Sequence, residues 1–418
     1  MPSLRREAWI GFAALLAVRT AMLAALGALT GGAEFADDPK WQRLYVDDPW
    51  LILLGHRLDH EYDRFIHVYP PLLPWFLAAP GMLLRLSVSD FYLLRSVYVL
   101  YELAAWPFLF HLIASRTSTA RARRVLTAVY VLLPVSWMSS VVMSQEEVIA
   151  FFWMTVTFAL LVRGRRLAAI ATCSLGVVSA KIFFLVPLAA LVLGTSRGSW
   201  KSAGLRIAVA AAPLAIGYAV PAAVWTMSGS GFPLGGFTAK VEDSTSLWSL
   251  FPFWEPDVFV GTLKKASMLA ALCAGLTPLL FTRLRRETDE PERIARLMVA
   301  MLLWVFVAFY QIQPEYWLML VPGFAVVLRP VTATVVNAGL LSVAWSINVF
   351  YGIRVALASG ATGGKALFTR WWEAWIPFEP STLQQIAVVG FAFGTIALAV
   401  RLTRARTEPE SRAALGEA

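Results

Sequence analysis

Long apolar runs separated by short polar connections fill the chain from Ala8 to Leu402. A helix needs ~20 apolar residues to cross a bilayer core of ~30 Å. By that ruler the runs predict spans over 8–29, 92–114, 124–143, 147–163, 167–180, 181–195, 203–226, 259–282, 296–312, 316–328, 331–350 and 382–402. The stretch 167–195 reads either as two broken half-spans or as one long tilted helix, and 316–328 is short. The first run is too long for a signal-peptide core and lacks a cleavage site, so it is expected to remain as the first helix. The pattern predicts an all-α polytopic membrane protein with about 11 to 13 spans. No polar stretch is long enough for a separate soluble domain. One integral-membrane domain is expected over residues 1–403, followed by a disordered polar tail over 404–418.

Charge orients these spans. Arginines gather in short connections: Arg5-Arg6; Arg116 with Arg121, Arg123 and Arg124; Arg163, Arg165 and Arg166; Arg197 and Arg206 with Lys201; Arg283 to Arg296; and Arg401 to Arg406. Cytoplasmic connections carry such an excess. Both termini are therefore expected in the cytoplasm, with Thr30–Phe91, Ser144–Glu146, Ser228–Asp257, Gln313–Glu315 and Tyr351–Thr382 outside. The solution requires that Pro71–Leu86, interrupted by Pro74, Pro80 and Gly81, lie in the outer interface as a helical part of the first loop. Of the 418 residues 58% are hydrophobic and 15% charged, against about 25% charged in soluble domains. The net charge of +9 is absorbed by the topology signal, so no nucleic-acid partner is expected. Cys173 and Cys273 lie in apolar runs and suggest packing.

The outer connections hold the candidate chemistry. Glu34, Asp37, Asp38, Asp47, Asp48, Asp59, Glu61 and Asp63 crowd the first loop. Asp37 and Asp38 follow the first helix closely, at the membrane–water boundary, where a carboxylate can act as general base toward a hydroxyl. Glu146 and Glu147 open a span, where the helix dipole also favours them. With the first-loop acids they offer oxygen ligands for a divalent cation such as Mg or Mn, Asp38 and Glu146 being the candidate pair. Lys181 lies deep in an apolar run, where an ammonium is costly and usually functional. Arg19 sits inside the first helix, either snorkelling or paired with an acid. Arg354, Lys365 and Arg370 populate the last outer loop, where a phosphate-linked donor would find partners. Glu315, in Gln313-Pro314-Glu315-Tyr316-Trp317, suits either a cation or a sugar hydroxyl, or a simple capping turn. Outer tryptophans suit an aromatic belt or a sugar-stacking surface.

In their order these features resemble the GT-C glycosyltransferases, multispanning enzymes that use polyprenyl-phosphate sugars. The residues that carry the resemblance are Arg19, Asp37-Asp38, Gly55, Tyr62, Val68-Tyr69-Pro70-Pro71-Leu72-Leu73-Pro74-Trp75, Ser144-Gln145-Glu146-Glu147, Ser179-Ala180-Lys181 and Gln313-Pro314-Glu315-Tyr316. The Tyr69 run is similar to the Tyr-X-Pro-Leu signature of GPI-type and bacterial lipid-linked mannosyltransferases. Glu stands where relatives carry Asp in the second outer turn, and two Asp pairs stand where they carry one acidic motif. The resemblance implies inverting transfer of a hexose, mannose first, to a glycolipid, glycan or protein acceptor at the outer face of a bacterial plasma membrane. It gives the base to Asp38 or Asp37, and substrate contacts to Glu146, Glu147, Lys181, Tyr69, Glu315, Tyr316, Arg354 and Arg370. A lipid or solute transporter is the alternative from another class, since intramembrane charges also suit a transport path. Two matching halves are not visible in the chain.

Overall fold

Prolines and buried charges decide where the helices stop. In the computed structural model, residues 2–30, 46, 70–85, 90–193, 200–227, 266–267, 269–278, 291–309, 312–347, 370 and 373–404 are described. Five helices are long and apolar enough to cross a membrane alone: Ser3–Ala28, Phe91–Arg116, Lys201–Val224, Pro330–Ile347 and Thr382–Thr403. Ala120–Leu132 and Pro134–Val142 form a sixth candidate, bent by 41°. Shorter apolar helices cover Glu147–Val162, Arg166–Ser179, Ile182–Leu193, Leu269–Pro278 and Glu315–Val327. With Pro291–Ala308, helices match the expected spans wherever these are described, 259–282 being described only in part, and 167–195 resolves into two pieces broken at Lys181.

The breaks have local causes. Pro134 supplies no N–H to the turn before it, and the Leu133 amide bonds the Tyr130 carbonyl at 3.1 Å instead. Beyond it Met138–Val142 winds as a π-turn, with the Met143 amide on the Met138 carbonyl at 2.8 Å. Ser144 then takes φ 53°, a left-handed conformation that non-glycine residues enter at a cost. At the second break Lys181 is extended (φ −148°, ψ 137°) and its amide reaches back to the Gly176 carbonyl at 3.1 Å. Proline also opens helices at Pro291, Pro330 and Pro380, where a missing N–H costs nothing.

Among the described residues, the arginines at 116, 123, 163 and 166 lie at one end of the bundle. Arg116 pairs with Glu292 at 2.6 Å and donates to the Val326 carbonyl at 2.8 Å. Arg123 pairs with Glu7 at 2.7 Å, Arg163 bonds His111 at 3.2 Å, and Arg166 donates to the Leu191 carbonyl at 2.9 Å. Helix Glu147–Val162 runs into this end at Arg163, so its first residue lies about 24 Å away at 1.5 Å per residue. By the same reckoning of chain direction, the connections at 143–146, 180–181 and 312–313 all lie at the opposite end.

Leu73–Leu84 forms a separate short helix, about 18 Å long and too short for a ~30 Å core. Leu73, Pro74, Leu77, Ala78 and Gly81 are buried on it. Tyr101 donates to the Phe76 carbonyl at 2.6 Å, and the Leu72 amide to Val178 at 2.8 Å. Val178 lies just before the Lys181 break, so this helix docks at the end away from the arginines.

Lipid tails give little hydrophobic drive between helices, so close packing must hold them. Trp106, Tyr130 and Phe151 stack in sequence at 5.9 and 5.4 Å. Gly176 admits Phe184 so closely that a Cβ there would stand 2.3 Å from its ring. The outer faces of the first helix and of Trp200–Met227 stay apolar and exposed, for example Ile10, Ile207 and Ile216.

Candidate active site

Three breaks deliver charged side chains to one place. Glu146 precedes and Glu147 begins the Glu147–Val162 helix, Lys181 is the extended residue between two half-spans, and Glu315 and Tyr316 lie on the 3-10 turn Pro314–Leu320. The Lys181 ammonium stands 2.5 Å from Glu146 Oε1 and 2.8 Å from Glu147 Oε1. It also lies 3.4 Å from the Tyr316 hydroxyl and 4.5 Å from that ring's centroid. Glu315 is close enough to act electrostatically on Glu147. Glu146, Glu147, Glu315 and Tyr316 are all buried. Phe183 packs against Tyr316, Phe309 and Phe306 at 5.3 to 5.7 Å and backs the lysine turn with aromatic rings.

Glu147 Oε1 is ion-paired with Lys181, while its Oε2 receives no hydrogen bond from the described residues. The Ser144 hydroxyl, buried one turn earlier, likewise has no partner there. Buried polar atoms left in this state are uncommon and point to strain or function. Chemically, the lysine can donate to an anionic oxygen, and the carboxylates can accept from hydroxyls.

Five of the residues expected from sequence therefore converge: Glu146, Glu147, Lys181, Glu315 and Tyr316. Asp37, Asp38, Tyr69 and Arg354 lie outside the described residues, and Arg370 is exposed. Pro70, the residue after Tyr69, begins the segment that the Leu72–Val178 bond ties beside the lysine break. Among the described residues no three His, Cys, Asp or Glu side chains gather as metal ligands. The counter-cation of Glu146 is the Lys181 ammonium, and Asp38, its expected metal partner, is outside the described set.

A second buried charge cluster lies deeper in the bundle. Arg19 grips Glu102 through Nε and Nη2 at 2.8 and 2.6 Å, and donates to the Val131 carbonyl at 2.9 Å and to Ser136 Oγ at 2.8 Å. Ser136 and Tyr130 both donate to Glu102. Arg95, also buried, donates to the Val141 carbonyl at 3.0 Å and to Phe91 at 2.8 Å. Arg19 thus pairs with an acid, one of the two roles expected of it. Glu102 and Arg95 are absent from the sequence reading, although two opposite charges seven residues apart in an apolar span are a visible signal.

Over 94% of its length the chain is similar to a solved membrane protein. The structure of ArnT from Cupriavidus metallidurans, bound to undecaprenyl phosphate, aligns with 94% of this chain and 77% of its own, at 17% identity and a TM-score of 0.48. No protein-family model and no curated protein matches the sequence.

Proposed function

We propose that this protein is a membrane glycosyltransferase that moves a hexose from a polyprenyl-phosphate donor to a lipid-linked, glycan or protein acceptor. The observation that carries the reading is the meeting of Glu146, Glu147, Lys181, Glu315 and Tyr316 at the bundle end opposite the arginines. These are members of the ordered motif set that resembles GT-C enzymes, and they lie far apart in sequence. The helix that follows Tyr69-Pro70-Pro71 docks beside the same break. By the charge rule, the acid end is the outer face and the arginine end the cytoplasm.

The reaction is a single displacement with inversion. The acceptor oxygen attacks the anomeric carbon, Asp38 or Asp37 takes its proton, and the C–O bond to polyprenyl phosphate breaks with the electron pair leaving on phosphate. Such a step needs one base and a stabilised leaving group. The lysine and the loop cations Arg354 and Arg370 supply positive charge, while Glu146, Glu147 and Glu315 orient hydroxyls.

The test uses purified protein with a panel of undecaprenyl-phosphate sugars, scoring released undecaprenyl phosphate. One sugar, mannose first, should turn over, and Asp38→Ala or Asp37→Ala should abolish release while the protein still folds. Full activity in both single variants and in the double variant would remove the base assignment. Turnover of none of the sugars, with vesicle transport of a lipid instead, would favour the transporter.

A further inference from the structure

The acid cluster hangs from a short helical length of chain that is irregular at both ends. Between Leu133 and Glu147 come a proline break, a π-turn and a left-handed serine. In a regular helix, each carbonyl bonds its own ladder and register is self-defining. Here the ladder is interrupted, and two buried arginines add bonds to carbonyls on either side of the break. Arg19 takes the Val131 carbonyl at the lip of the break, and Arg95 takes the Val141 carbonyl in the π-turn. Glu102 orients Arg19 from two sides and accepts from Ser136.

Two serines of the π-turn and the Gln145 amide bond carbonyls of the same stretch. Ser140 Oγ donates to the Ser136 carbonyl at 3.1 Å, Ser139 Oγ to Val135 at 2.6 Å, and the Gln145 amide to the Ser139 carbonyl at 2.9 Å. Gln145 adjoins Glu146. A π-turn holds one residue more than an α-turn, and a slip of one residue turns a helical side chain by about 100°. At adjacent acids that slip would present a different carboxylate to Lys181.

We infer that Arg19 and Glu102 are positioning residues, which lock the π-turn so that Glu146 and Glu147 both meet the lysine. This rests on reading that cluster as the active site. It assigns a purpose to a buried ion pair that touches none of the cluster residues.

The test separates positioning from scaffolding. A buried ion pair replaced on both sides by apolar residues is often no less stable, whereas removing one partner destabilises strongly. Arg19→Met and Glu102→Met should each lower the unfolding temperature, and the Arg19→Met/Glu102→Met double variant should regain it. In the double variant, hydrogen exchange across residues 138–148 should remain about tenfold faster than in the parent, while that of 166–179 is unchanged. Sugar transfer should remain about tenfold or more slower in kcat, with donor KM within about twofold. A double variant with parental exchange and turnover would overturn the inference, and so would one that fails to fold. Arg19→Lys, which keeps the charge but loses the two-pronged grip, should speed exchange across 138–148 alone; a change spread over the whole bundle would count against positioning. If the parent transfers no sugar, the functional proposal fails, while the exchange data still decide whether the pair sets this register.

Discussion

Lys181→Met is the most informative single change at the candidate site. Methionine keeps the length and much of the apolar stem while deleting the ammonium that stands 2.5 Å from Glu146, 2.8 Å from Glu147 and 3.4 Å from the Tyr316 hydroxyl. Breaking a buried pair by removing one partner costs about 3–5 kcal/mol, because a charge is left uncompensated. The lysine side chain keeps 14% of its exposure and Glu147 none, which points to the lower end, about 3 kcal/mol. That is roughly a hundredfold loss in the folding equilibrium at about 1.4 kcal/mol per decade. Equilibrium unfolding in mixed micelles, followed by tryptophan fluorescence, measures it. The triple variant Lys181→Met/Glu146→Gln/Glu147→Gln should recover more than half, since neutral amides relieve the unpaired charge. A single variant within about 0.5 kcal/mol of the parent would show that the three groups are not a buried, coupled cluster. A triple variant as unstable as the single would trace the loss to packing.

Three further outcomes follow from local geometry. Gly176→Ala should destabilise by about 1–3 kcal/mol, because its Cβ would meet the Phe184 ring at 2.3 Å; unchanged thermal unfolding would contradict that contact. Ser144→Gly should stabilise by up to about 1 kcal/mol, since φ is 53° and the hydroxyl bonds no described residue; a loss of stability in the same assay would mean that the hydroxyl has a partner. Glu292→Gln, which breaks the half-exposed pair with Arg116, should cost less than about 1 kcal/mol, and less still in high salt. A loss comparable with that of Lys181→Met would contradict the exposure of this pair.

Hydropathy is a strong guide to the helices because the ~20-residue ruler acts through lipid alone. It reads 92–114 and 382–402 within a few residues of Asp90–Arg116 and Pro380–Arg404. It also marks the irregular stretches, since 167–195 and 316–328 are too short or too long for one regular crossing. The broken character of 124–143 is written in Pro134, yet a hydropathy window averages across one proline. Among the described residues Arg116, Arg123, Arg163 and Arg166 gather at one end, and Lys181 with Glu146, Glu147, Glu315 and Tyr316 at the other.

Pairing is the part that hydropathy does not convey. Arg19 and Glu102 are 83 residues apart, and nothing local couples them. A buried guanidinium in an apolar helix nonetheless demands an acid at its own depth, because each charge alone is expensive in lipid. Described spans that carry both signs in their interior are therefore the ones to search, and Asp90–Arg116 holds both Arg95 and Glu102. The choice between Glu146 and Glu147 follows a finer rule. Both sit at a helix start and both suit its dipole, so composition alone would give each the lysine. Their joint contact depends on the π-turn upstream, where one extra residue turns the acids about the axis by roughly 100°. Arg95 donates to Val141 within that turn, and Arg19 to Val131 at the break before it. On this reading, charges buried in other helices set the geometry of the acids beside Lys181.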